Sequence, residues 1–519
     1  MKNIKKFFLN AALLCGVSML MRTVSVSFNV YVSNKAGAEA MGLYSLLSGI
    51  YGFALTFATS GINLATMRLV AGALGRNNRQ EALAALKKCI TYALIFSSVA
   101  TAALFFGAPF MGERFLHDAR TVLSLKILAA SLIPISLSST LNGYFTAVRR
   151  VYKNAVIQVC EQAIKIFSIS LLLTLLLPKG IEFACAALAL GGAISECASF
   201  IISLITFIAD KSKHIGKNIG SYTNATLTSE LLKTALPIAS SAYVRSGLIS
   251  IEHMLIPIGL QKSGLNKGGA LALYGIIQSM VLPIVLFPAA LISSFSGLLV
   301  PELTECAVKD NKRQIRYICE RSLQMALIFS IGTAGLIIFF SNDLGRLIYP
   351  NESTSSYIKM LAPLIPIMYL DTTVDHMLKG LGEQLYSMAV NIADSALSVF
   401  LVWFLLPKMG ITGYIVTIYV TELINASFSI IRLMKKSDFK TQLIKWVIKP
   451  LLCIIGSTCI CHMVFGNLNV PGGIRAAELV FRMLFTTAVY ALLLIATNAF
   501  DKEDVRWAAN IFKGKINRI

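Results

Sequence analysis

The sequence contains few charged residues. Only 14% of its 519 residues are Asp, Glu, Lys or Arg, against about 25% in an ordinary soluble domain. Apolar residues make up 56%, and the mean hydropathy is +0.70. Apolar runs of roughly 20 residues, the length that crosses a hydrocarbon core of about 30 Å, recur from Phe7 to Ala499. The composition therefore predicts an integral membrane protein with no room for a soluble domain.

Motifs for nucleotide binding, metal binding and covalent catalysis are absent from the sequence. It contains no GxxxxGK[ST] motif, and none of its ten cysteines has the CxxC spacing of a metal site. No combination of a nucleophile with a base stands out either. We therefore expect neither an enzyme nor a cofactor or resident metal, and we interpret the cysteines as small buried apolar residues.

The net charge of +21 is dispersed over short loops between apolar runs. Nucleic-acid binding requires a continuous basic surface, so we expect no nucleic-acid partner. Basic residues in short loops are instead typical of membrane proteins with positively charged cytoplasmic loops. Fourteen spans are predicted, at residues 7–32, 43–74, 86–108, 122–147, 154–177, 182–209, 231–258, 270–300, 316–340, 357–379, 385–406, 411–433, 444–465 and 476–499.

The distribution of basic residues predicts the orientation of these spans. With the N-terminus in the cytoplasm, 31 of the 47 Lys and Arg fall on the cytoplasmic side, 12 on the outer side and four within spans. The first span resembles a signal peptide, but it is too long and contains Arg22, which favours an uncleaved helix. We expect a multi-pass protein of the cell membrane with both termini in the cytoplasm.

The two halves of the chain resemble each other at an offset near 230 residues. The letters LLPK end the fifth span at Lys179 and the eleventh at Lys408, and Glu196 recurs as Glu422. Because each half holds six spans, the halves are expected to be parallel repeats with a cavity between them.

The predicted fold is an all-α integral membrane protein of about 14 transmembrane helices, arranged as two six-helix pseudo-symmetric lobes plus two C-terminal helices. The predicted boundaries are residues 1–209 for the N-terminal lobe, 210–230 for a cytoplasmic linker, 231–434 for the second lobe, 435–500 for the extra pair and 501–519 for a cytoplasmic tail.

Charged residues inside the spans are the main functional signal. A charge at the bilayer centre costs about 3 kcal/mol, so such residues normally face a bundle interior or water. Arg22 shares one helical stripe with Ser25 and Asn29, and Arg245 shares a face with Glu252 two turns away. We expect these faces to contact water or ligand. For the arginines, pairing with carboxylates of neighbouring helices is the alternative.

Several other intramembrane charges are candidates. At the repeat offset Lys165 corresponds to Asp394, which places opposite charges at matching depth. Asp371 and Asp375 could form an ion or proton site, or could instead hold cationic partners. The candidate residues are, for substrate binding, Arg22, Arg245, Asn29, Glu252, Lys165 and Arg68; for ion coupling, Asp371, Asp375 and Asp394; and for structural charge, Glu196 and Glu422.

Four segments resemble a known family. The clearest is YGIIQSMVLPIVLFPAALISSFSGLLVPELTECAVKDNKRQIR at residues 274–316, with its Tyr-Gly start, paired prolines and Val-Pro-Glu end. SGINLATMRLVAGALGRNN, ALPIASSAYVRSGLISIEHMLIPIGL and KGLGEQLYSMAVNIAD resemble the same pattern. On these motifs the chain is similar to the multidrug/oligosaccharidyl-lipid/polysaccharide exporter (MOP) superfamily, in its stage V sporulation protein B-like branch, which is related to lipid II flippases.

The resemblance implies two six-helix lobes around a cavity that alternates between the membrane faces, with a final helix pair that often forms a groove for a lipid tail. Lipid II flippases have a basic residue in the first helix, matched here by Arg22. They also tend to have one in the eighth, whereas here the arginine is Arg245 in the seventh span.

The leading interpretation is a flippase for an undecaprenyl-pyrophosphate-linked sugar or peptidoglycan precursor, with membrane lipids and H⁺ or Na⁺ as further partners. Guanidinium groups suit a pyrophosphate because they donate two parallel hydrogen bonds. A cation-coupled exporter of small drugs is the first alternative, although Arg22 opposes cationic substrates. A non-transporting membrane scaffold in envelope or spore assembly is the second.

Overall fold

The computed structural model describes the backbone of residues 2–500 except 60, 77, 117, 149, 215–223, 350–351, 440 and 466–475. Helices make up 92% of the structure, and the described residues form no strand, which confirms the predicted all-α class. The predicted tail at 501–519 and much of the predicted linker lie outside the described residues.

Nineteen α-helices make up the described part of the chain. The first ten are α1 (Lys2–Ala36), α2 (Ala38–Thr59), α3 (Ile62–Gly75), α4 (Arg79–Phe110), α5 (Thr121–Ala147), α6 (Val151–Leu176), α7 (Ile181–His214), α8 (Asn224–Lys262), α9 (Lys267–Gly275) and α10 (Leu282–Leu286). The others are α11 (Ala289–Val308), α12 (Lys312–Phe339), α13 (Ser341–Ile348), α14 (Glu352–Leu361), α15 (Ile365–Gly380), α16 (Gln384–Met409), α17 (Ile411–Ser437), α18 (Lys449–Phe465) and α19 (Ala476–Ala496). Short π-helical turns cover Met111–Phe115, Ile276–Val281 and Ile444–Ile448.

Twelve helical segments among the described residues are long and apolar enough to cross a membrane. Helices suit this setting because lipid offers no hydrogen bonds, so each backbone group must find its partner within the chain. The predicted span 270–300 corresponds to two of the twelve, Lys267–Leu286 and Ala289–Val308. The predicted spans 7–32, 231–258 and 357–379 are not among them, and the count of fourteen stays a prediction.

The predicted span 357–379 is not one continuous α-helix. A 3₁₀ turn at Ala362–Leu364, which contains Pro363, separates α14 from α15. Proline lacks the amide hydrogen that an α-helix interior requires, and its ring disfavours a helical residue before it. The break leaves helices of 10 and 16 residues, each shorter than a membrane span requires.

The contacts divide the chain into two compact units. The N-terminal unit comprises Lys35–Gly275 and Val402–Gly410, and the C-terminal unit comprises the described residues of Met1–Asn34, Ile276–Leu401 and Ile411–Ile519. These units differ from the predicted lobes, because most of α1 belongs to the C-terminal unit, and α8 and α9 belong to the N-terminal unit. The two pseudo-symmetric lobes with a boundary near residue 230 remain a prediction.

Close approach of backbones holds the N-terminal unit together around α2. A Cβ atom added to Gly42 would lie 1.8 Å from the carbonyl oxygen of Leu271 in α9. Likewise, a Cβ on Gly49 would lie 2.7 Å from the Cβ of His253 in α8. Small residues serve this purpose in membrane proteins because they let helices pack closely where no hydrophobic force drives them together.

The internal repeat is visible in how the helices begin and end. The side chains of Asn78 and Asn311 cap α4 and α12 by accepting a hydrogen bond from the third following amide, each at 3.1 Å. After the two LLPK segments the chain turns at Gly180 and Gly410, with φ angles of 123° and 58° that favour glycine. The shared order of these signals supports the sequence repeat.

The predicted extra pair, α18 and α19, packs within the C-terminal unit. The Tyr490 hydroxyl donates to the carbonyl of Ile328 in α12 at 2.8 Å, and Gln324 of α12 donates to the carbonyl of Ala499 at 3.0 Å. A Cβ on Gly332 would meet the Tyr490 ring, so this contact also depends on a small residue. Helix α12 is therefore the support for the pair.

Substitution of Gly42 by Ala tests the close contact between α2 and α9. The added methyl group must displace the Leu271 backbone, and overpacking of this kind costs about 1–3 kcal/mol. We expect a lower thermal unfolding midpoint in detergent than for the wild type. Gly52→Ala on the same helix is the control, because an added Cβ there meets nothing within 4 Å. Equal midpoints for both variants would contradict the proposed role of Gly42.

Candidate functional site

Arg22 is exposed on α1 in the C-terminal unit. Its guanidinium makes neither a hydrogen bond nor an ion pair with another described residue. It lies near enough to Tyr369 of α15 for an electrostatic interaction. Among the described residues, therefore, no neighbouring acid neutralises Arg22, which argues against the alternative of a structural ion pair.

Asn29, two turns further along α1, has a structural contact. Its side-chain amide donates a hydrogen bond of 2.6 Å to the carbonyl of Ser279, which lies in the π-helical turn before α10. Carbonyl groups in such a turn lack the regular i+4 partner of an α-helix. Asn29 therefore joins α1 to an irregular segment, and its oxygen and its second N–H remain to contact a ligand.

One stripe of α8 faces α2 in the N-terminal unit. The Ser246 hydroxyl donates to the carbonyl of Gly52 at 3.3 Å, and the Ser250 hydroxyl donates to that of Gly49 at 2.6 Å. One turn further, His253 hydrogen-bonds to the hydroxyl of Tyr274 in α9. His253 therefore contributes to the packing of α8 against α9.

Arg245 and Glu252 lie on a different flank of α8. At 100° per residue they fall within roughly 20° of each other and roughly a third of a turn from the stripe that faces α2. Arg245 is exposed and, among the described residues, has no acid partner, whereas Glu252 is half-buried and has contacts of its own. Val244 and Ile251 are apolar and exposed, and they lie roughly 100° around the helix from Arg245 and Glu252, on the side away from the stripe that faces α2. The polar flank of α8 is thus separate from its apolar surface.

Lys165 belongs to a polar cluster inside the N-terminal unit. Helices α6 and α7 pack together, and the Ser199 hydroxyl donates to a carboxylate oxygen of Glu161 at 2.8 Å. Both Glu161 and Lys165 lie close enough to Glu196 of α7 to act on it electrostatically. The predicted substrate residue Lys165 and the predicted structural residue Glu196 therefore share one site. Arg68, another predicted substrate residue, is exposed on α3.

Acidic residues gather at the corresponding place in the C-terminal unit. Asp371 of α15 and Asp394 of α16 both act electrostatically on Glu422 of α17. The Asn425 amide donates to Asp371 at 3.3 Å, and its oxygen is buried without a hydrogen bond to a described residue. No group of three or more His, Cys, Asp or Glu residues among the described residues has the arrangement of a metal site.

Asp375, one turn after Asp371 on α15, has contacts of a different kind. It pairs with Lys379 one turn later on α15 and accepts a hydrogen bond from Ser387 at the start of α16. These contacts join the end of α15 to the beginning of α16. The neighbouring His376 hydrogen-bonds at 2.8 Å to the carbonyl of Thr372 in the preceding turn of its own helix. Of the three predicted coupling residues, Asp371 and Asp394 share the neighbour Glu422, whereas Asp375 forms an ion pair with Lys379.

Comparison with protein families gives the identity of the chain. The sequence profile described as "Polysaccharide biosynthesis protein" matches residues 7–295, which is more than half of the chain. The chain belongs to the polysaccharide biosynthesis protein family. The MatE profile also matches, at residues 264–404. These matches confirm the membership of the MOP superfamily that the sequence motifs predicted.

Individual relatives agree with this assignment. The chain is 26% identical over 516 residues to stage V sporulation protein B of Bacillus subtilis (strain 168), covering 97% of this chain and 98% of that protein. The structure of the lipid II flippase MurJ in an inward closed conformation superposes with a TM-score of 0.68 at 14% identity, over 96% of this chain and 100% of that one. The structure of an inward-facing multidrug resistance MATE family transporter superposes with a TM-score of 0.60 at 13% identity, over 82% of this chain and 99% of that one. This member of the polysaccharide biosynthesis protein family is therefore a multi-pass membrane transporter of the MOP superfamily.

The sequence analysis did not predict an ion-pair network that the structure shows in the N-terminal unit. Asp118, only 3% exposed, accepts hydrogen bonds from Arg120 at 2.7–3.2 Å and pairs with Lys267 at 3.2 Å. Arg120 also reaches Glu39 at the start of α2, at 3.3 Å. Lys267 is 149 positions from its partner Asp118, and Glu39 is 81 positions from its partner Arg120, so no local pattern connects the three helices. The network ties α2, the start of α5 and the start of α9 together.

The charge of Asp118 is stabilised by this network. Burial opposes ionisation, but the hydrogen bonds from Arg120 and Lys267 outweigh it and hold the pKa of the Asp118 carboxyl below its ordinary value. A lowered pKa in the folded state gives stability above the ordinary pKa of about 4, and this stability is lost as the pH falls through the folded value.

Asp118→Asn tests this network. The variant keeps the size of the side chain but loses the charge, and hydrogen bonds to a charged group contribute about 1.5–3 kcal/mol. We expect a lower unfolding midpoint at pH 7 and a difference from the wild type that shrinks as the pH falls below about 4, towards the lowered pKa of the wild-type Asp118 carboxyl. The measurement is thermal unfolding in detergent between pH 3 and 7. A difference that is constant over this range would argue against a role for the charge.

Proposed function

We propose that this transporter is a flippase that moves a polyprenyl-pyrophosphate-linked oligosaccharide or peptidoglycan precursor from the inner to the outer leaflet by alternating access. The observation that carries the proposal is that Arg22 and Arg245 expose guanidinium groups that no described acid neutralises. An arginine inside a membrane span is costly unless it meets water or an anion. A guanidinium matches a pyrophosphate well because its planar donors bind two oxygens at once.

The membrane potential supplies a driving force for this transport. With the cell interior negative, outward movement of an anion gains about 2.3 kcal/mol per charge per 100 mV. The absence of a GxxxxGK[ST] motif in the sequence agrees with a cycle that does not use a bound nucleotide. Coupling to H⁺ or Na⁺ through Asp371 and Asp394 would add a second source of energy.

The proposed setting is the cell membrane, with both termini in the cytoplasm. The excess of Lys and Arg in the loops assigned to the inner side supports this orientation. In that orientation a lipid-linked precursor made in the cytoplasm enters from the inner leaflet. The remaining candidate contacts are Glu252 on the polar flank of α8, the oxygen of Asn29, and Arg68, which is exposed on α3.

Substitution of the two arginines tests the proposal. Arg22→Ala and Arg245→Ala should each lower the rate of flipping by about 10-fold or more, since a charge-assisted hydrogen bond contributes about 1.5–3 kcal/mol. The flipping rates of Arg22→Lys and Arg245→Lys should lie between those of the wild type and the Ala variants, because lysine keeps the charge but lacks the planar guanidinium. The rate is measured in vesicles that contain a lipid-linked glycan, with accessibility of the headgroup as the readout.

The control is Arg313→Ala, which removes another exposed arginine at the start of α12. It should leave flipping unchanged. If both Arg22→Ala and Arg245→Ala flip the lipid at the wild-type rate, the arginines do not bind the headgroup. A membrane scaffold would behave in this way, because it has no need of charges inside the spans.

A cation-coupled exporter of small molecules is the second candidate. The three carboxylates Asp371, Asp394 and Glu422 favour it, because cationic drugs and coupling cations both need negative partners. The MatE profile matches the part of the chain that contains Asp371 and Asp394. Exposed arginines oppose it, since they repel cationic substrates.

Resistance to cationic dyes separates the two candidates. We expect cells that express the wild-type protein to be no more resistant than cells that express Arg22→Ala, because a carrier of anionic lipid gives no protection. An exporter would instead raise the minimum inhibitory concentration of the dye several-fold, and Asp394→Asn would abolish that increase. Such a result would replace the flippase proposal.

A further inference from the structure

The predicted spans 43–74 and 270–300, the second of each repeat, are both broken in the structure. In the N-terminal unit, α2 ends at Thr59, and α3 begins at Ile62 after Gly61, whose φ of 75° favours glycine. In the C-terminal unit, the break lies between α10 and α11. The starts of α3 and α11 correspond at the offset near 230 residues that relates the two halves.

Proline causes the break in the C-terminal unit. Pro288 has no amide hydrogen, so it cannot bond to the carbonyl of Ile284, its regular helical partner four residues earlier. The amides of Phe287 and Ala290 bond to carbonyls three residues before them, each at 3.4 Å. Bonds of this kind form a tight turn with poorer geometry than that of an α-helix. The backbone is therefore weakly held between α10 and α11.

A tyrosine of α15 supplies a further hydrogen bond at this break. The Tyr369 hydroxyl donates to the carbonyl of Val285 at 2.8 Å, and both side chains are fully buried. In an unbroken helix this carbonyl would accept from the amide of residue 289, immediately after Pro288. The Tyr369 ring stacks against Phe329 of α12, with 6.3 Å between the centroids. Tyr369 is thus held by its ring and stabilises the broken backbone with its hydroxyl.

The two sides of this break pack against different helices. On one side, α10 and the π-helical turn before it contact α14. On the other side, α11 chiefly contacts α12 and α15. Because Tyr369 belongs to α15, its hydroxyl joins the helix that supports one side to the backbone of the other side. The hydrogen bond is therefore a tie across the break.

A corresponding tie is present in the N-terminal unit. Ser136 of α5 is fully buried, and its hydroxyl donates to the carbonyl of Ala58 at 2.8 Å, just before the break at Gly61. Helices α5 and α15 lie within the predicted spans 122–147 and 357–379, the fourth of each repeat. In each unit, therefore, a buried hydroxyl of the fourth span bonds to the last turn of the helix before the break.

We propose that the second span of each repeat bends at its break during transport, and that Ser136 and Tyr369 are positioning residues that hold the bend in the shape that the structure shows. One side-chain hydrogen bond can open and close in each cycle at a lower cost than the bonds of a regular helix, which form cooperatively. The proposal deepens the flippase function, and its transport readout rests on that function.

Hydrogen–deuterium exchange in detergent tests the tie in the C-terminal unit without requiring transport. Tyr369→Phe keeps the stacked ring and loses only the hydroxyl, so the amides of residues 286–291 should exchange about 5-fold faster than in the wild type. The matched control is Tyr490→Phe, which removes an equally long hydrogen bond from a buried tyrosine to a carbonyl of α12, outside the broken spans. It should leave the exchange at residues 286–291 unchanged.

Ser136→Ala is the equivalent variant in the N-terminal unit. Exchange at the amides that follow Gly61 should become about 5-fold faster. Ser250→Ala is its control, because the Ser250 hydroxyl bonds to the carbonyl of Gly49 in the middle of α2. An equal effect of Ser250→Ala at the same amides would mean that any lost bond to α2 loosens the break, and that Ser136 has no special role.

Restoring the missing amide gives the complementary test. Pro288→Ala supplies the hydrogen-bond donor that the carbonyl of Ile284 lacks, so exchange at residues 286–291 should slow. In this background the effect of Tyr369→Phe on exchange should shrink, because the two changes act on the same stretch of backbone. Since a continuous helix resists bending, Pro288→Ala should lower the flipping rate by about 10-fold without lowering the unfolding midpoint.

The two tyrosine variants separate the shape of the bend from general stability. Both should lower the unfolding midpoint to a similar extent, since each loses one buried hydrogen bond of 2.8 Å. Only Tyr369→Phe should slow flipping several-fold, because it alone loses a tie at a break. Equal flipping rates for Tyr369→Phe and Tyr490→Phe would show that the hydroxyl of Tyr369 contributes stability alone.

Two further outcomes would overturn the proposal. Identical exchange at residues 286–291 in the wild type and in Tyr369→Phe shows that the hydroxyl does not hold the break. A Pro288→Ala variant that exchanges more slowly there and still flips at the wild-type rate shows that transport does not use the bend. If the wild type flips none of the lipid-linked glycans offered, the proposed function fails, while the exchange rates still decide whether Tyr369 holds the break.

Discussion

The cost of placing a charge inside a membrane is the constraint on which the arrangement of this protein depends. Each ionised side chain in a span must find an opposite charge, a polar cavity or a bound ion, since lipid offers none of these. In the N-terminal unit, Glu161 accepts a hydrogen bond from Ser199, and Lys165 lies within electrostatic range of Glu196. In the C-terminal unit, Asp371 has the amide of Asn425. Arg22 and Arg245 are exposed and no described acid pairs with them, which makes them candidates for contact with a mobile anion.

Helix packing provides the rigid frame for these charges. Glycines 42, 49 and 191 bring backbones close enough for serine hydroxyls and carboxylates on neighbouring helices to meet. In lipid such contacts arise from fit and hydrogen bonding, because apolar side chains gain little by leaving one apolar environment for another. The polar groups therefore sit where the backbone allows them to bond, and their positions follow from the small residues.

Much of this could be predicted from the sequence. Apolar length predicts most of the spans, and the LLPK repeat with its following turn is preserved as Gly180 and Gly410 in the structure. Hydropathy could not show that α8 docks on α2, because this depends on which glycines of α2 lie opposite which side chains. The ion pair between Asp118 and Lys267 could not be predicted from the sequence either, since the two residues are 149 positions apart and meet only in the folded unit. The sequence places Asp371 and Asp375 on one helical face as a possible shared site. In the structure, the Asp375 carboxylate accepts a hydrogen bond from Ser387 at the start of α16.

The two energy sources proposed for transport act in the same direction. An anion that leaves the cell and a cation that enters it both move positive charge inward, so an interior-negative potential drives each of them by about 2.3 kcal/mol per charge per 100 mV. A cycle that releases an anionic headgroup outside and carries a cation inward on its carboxylates would therefore add the two contributions.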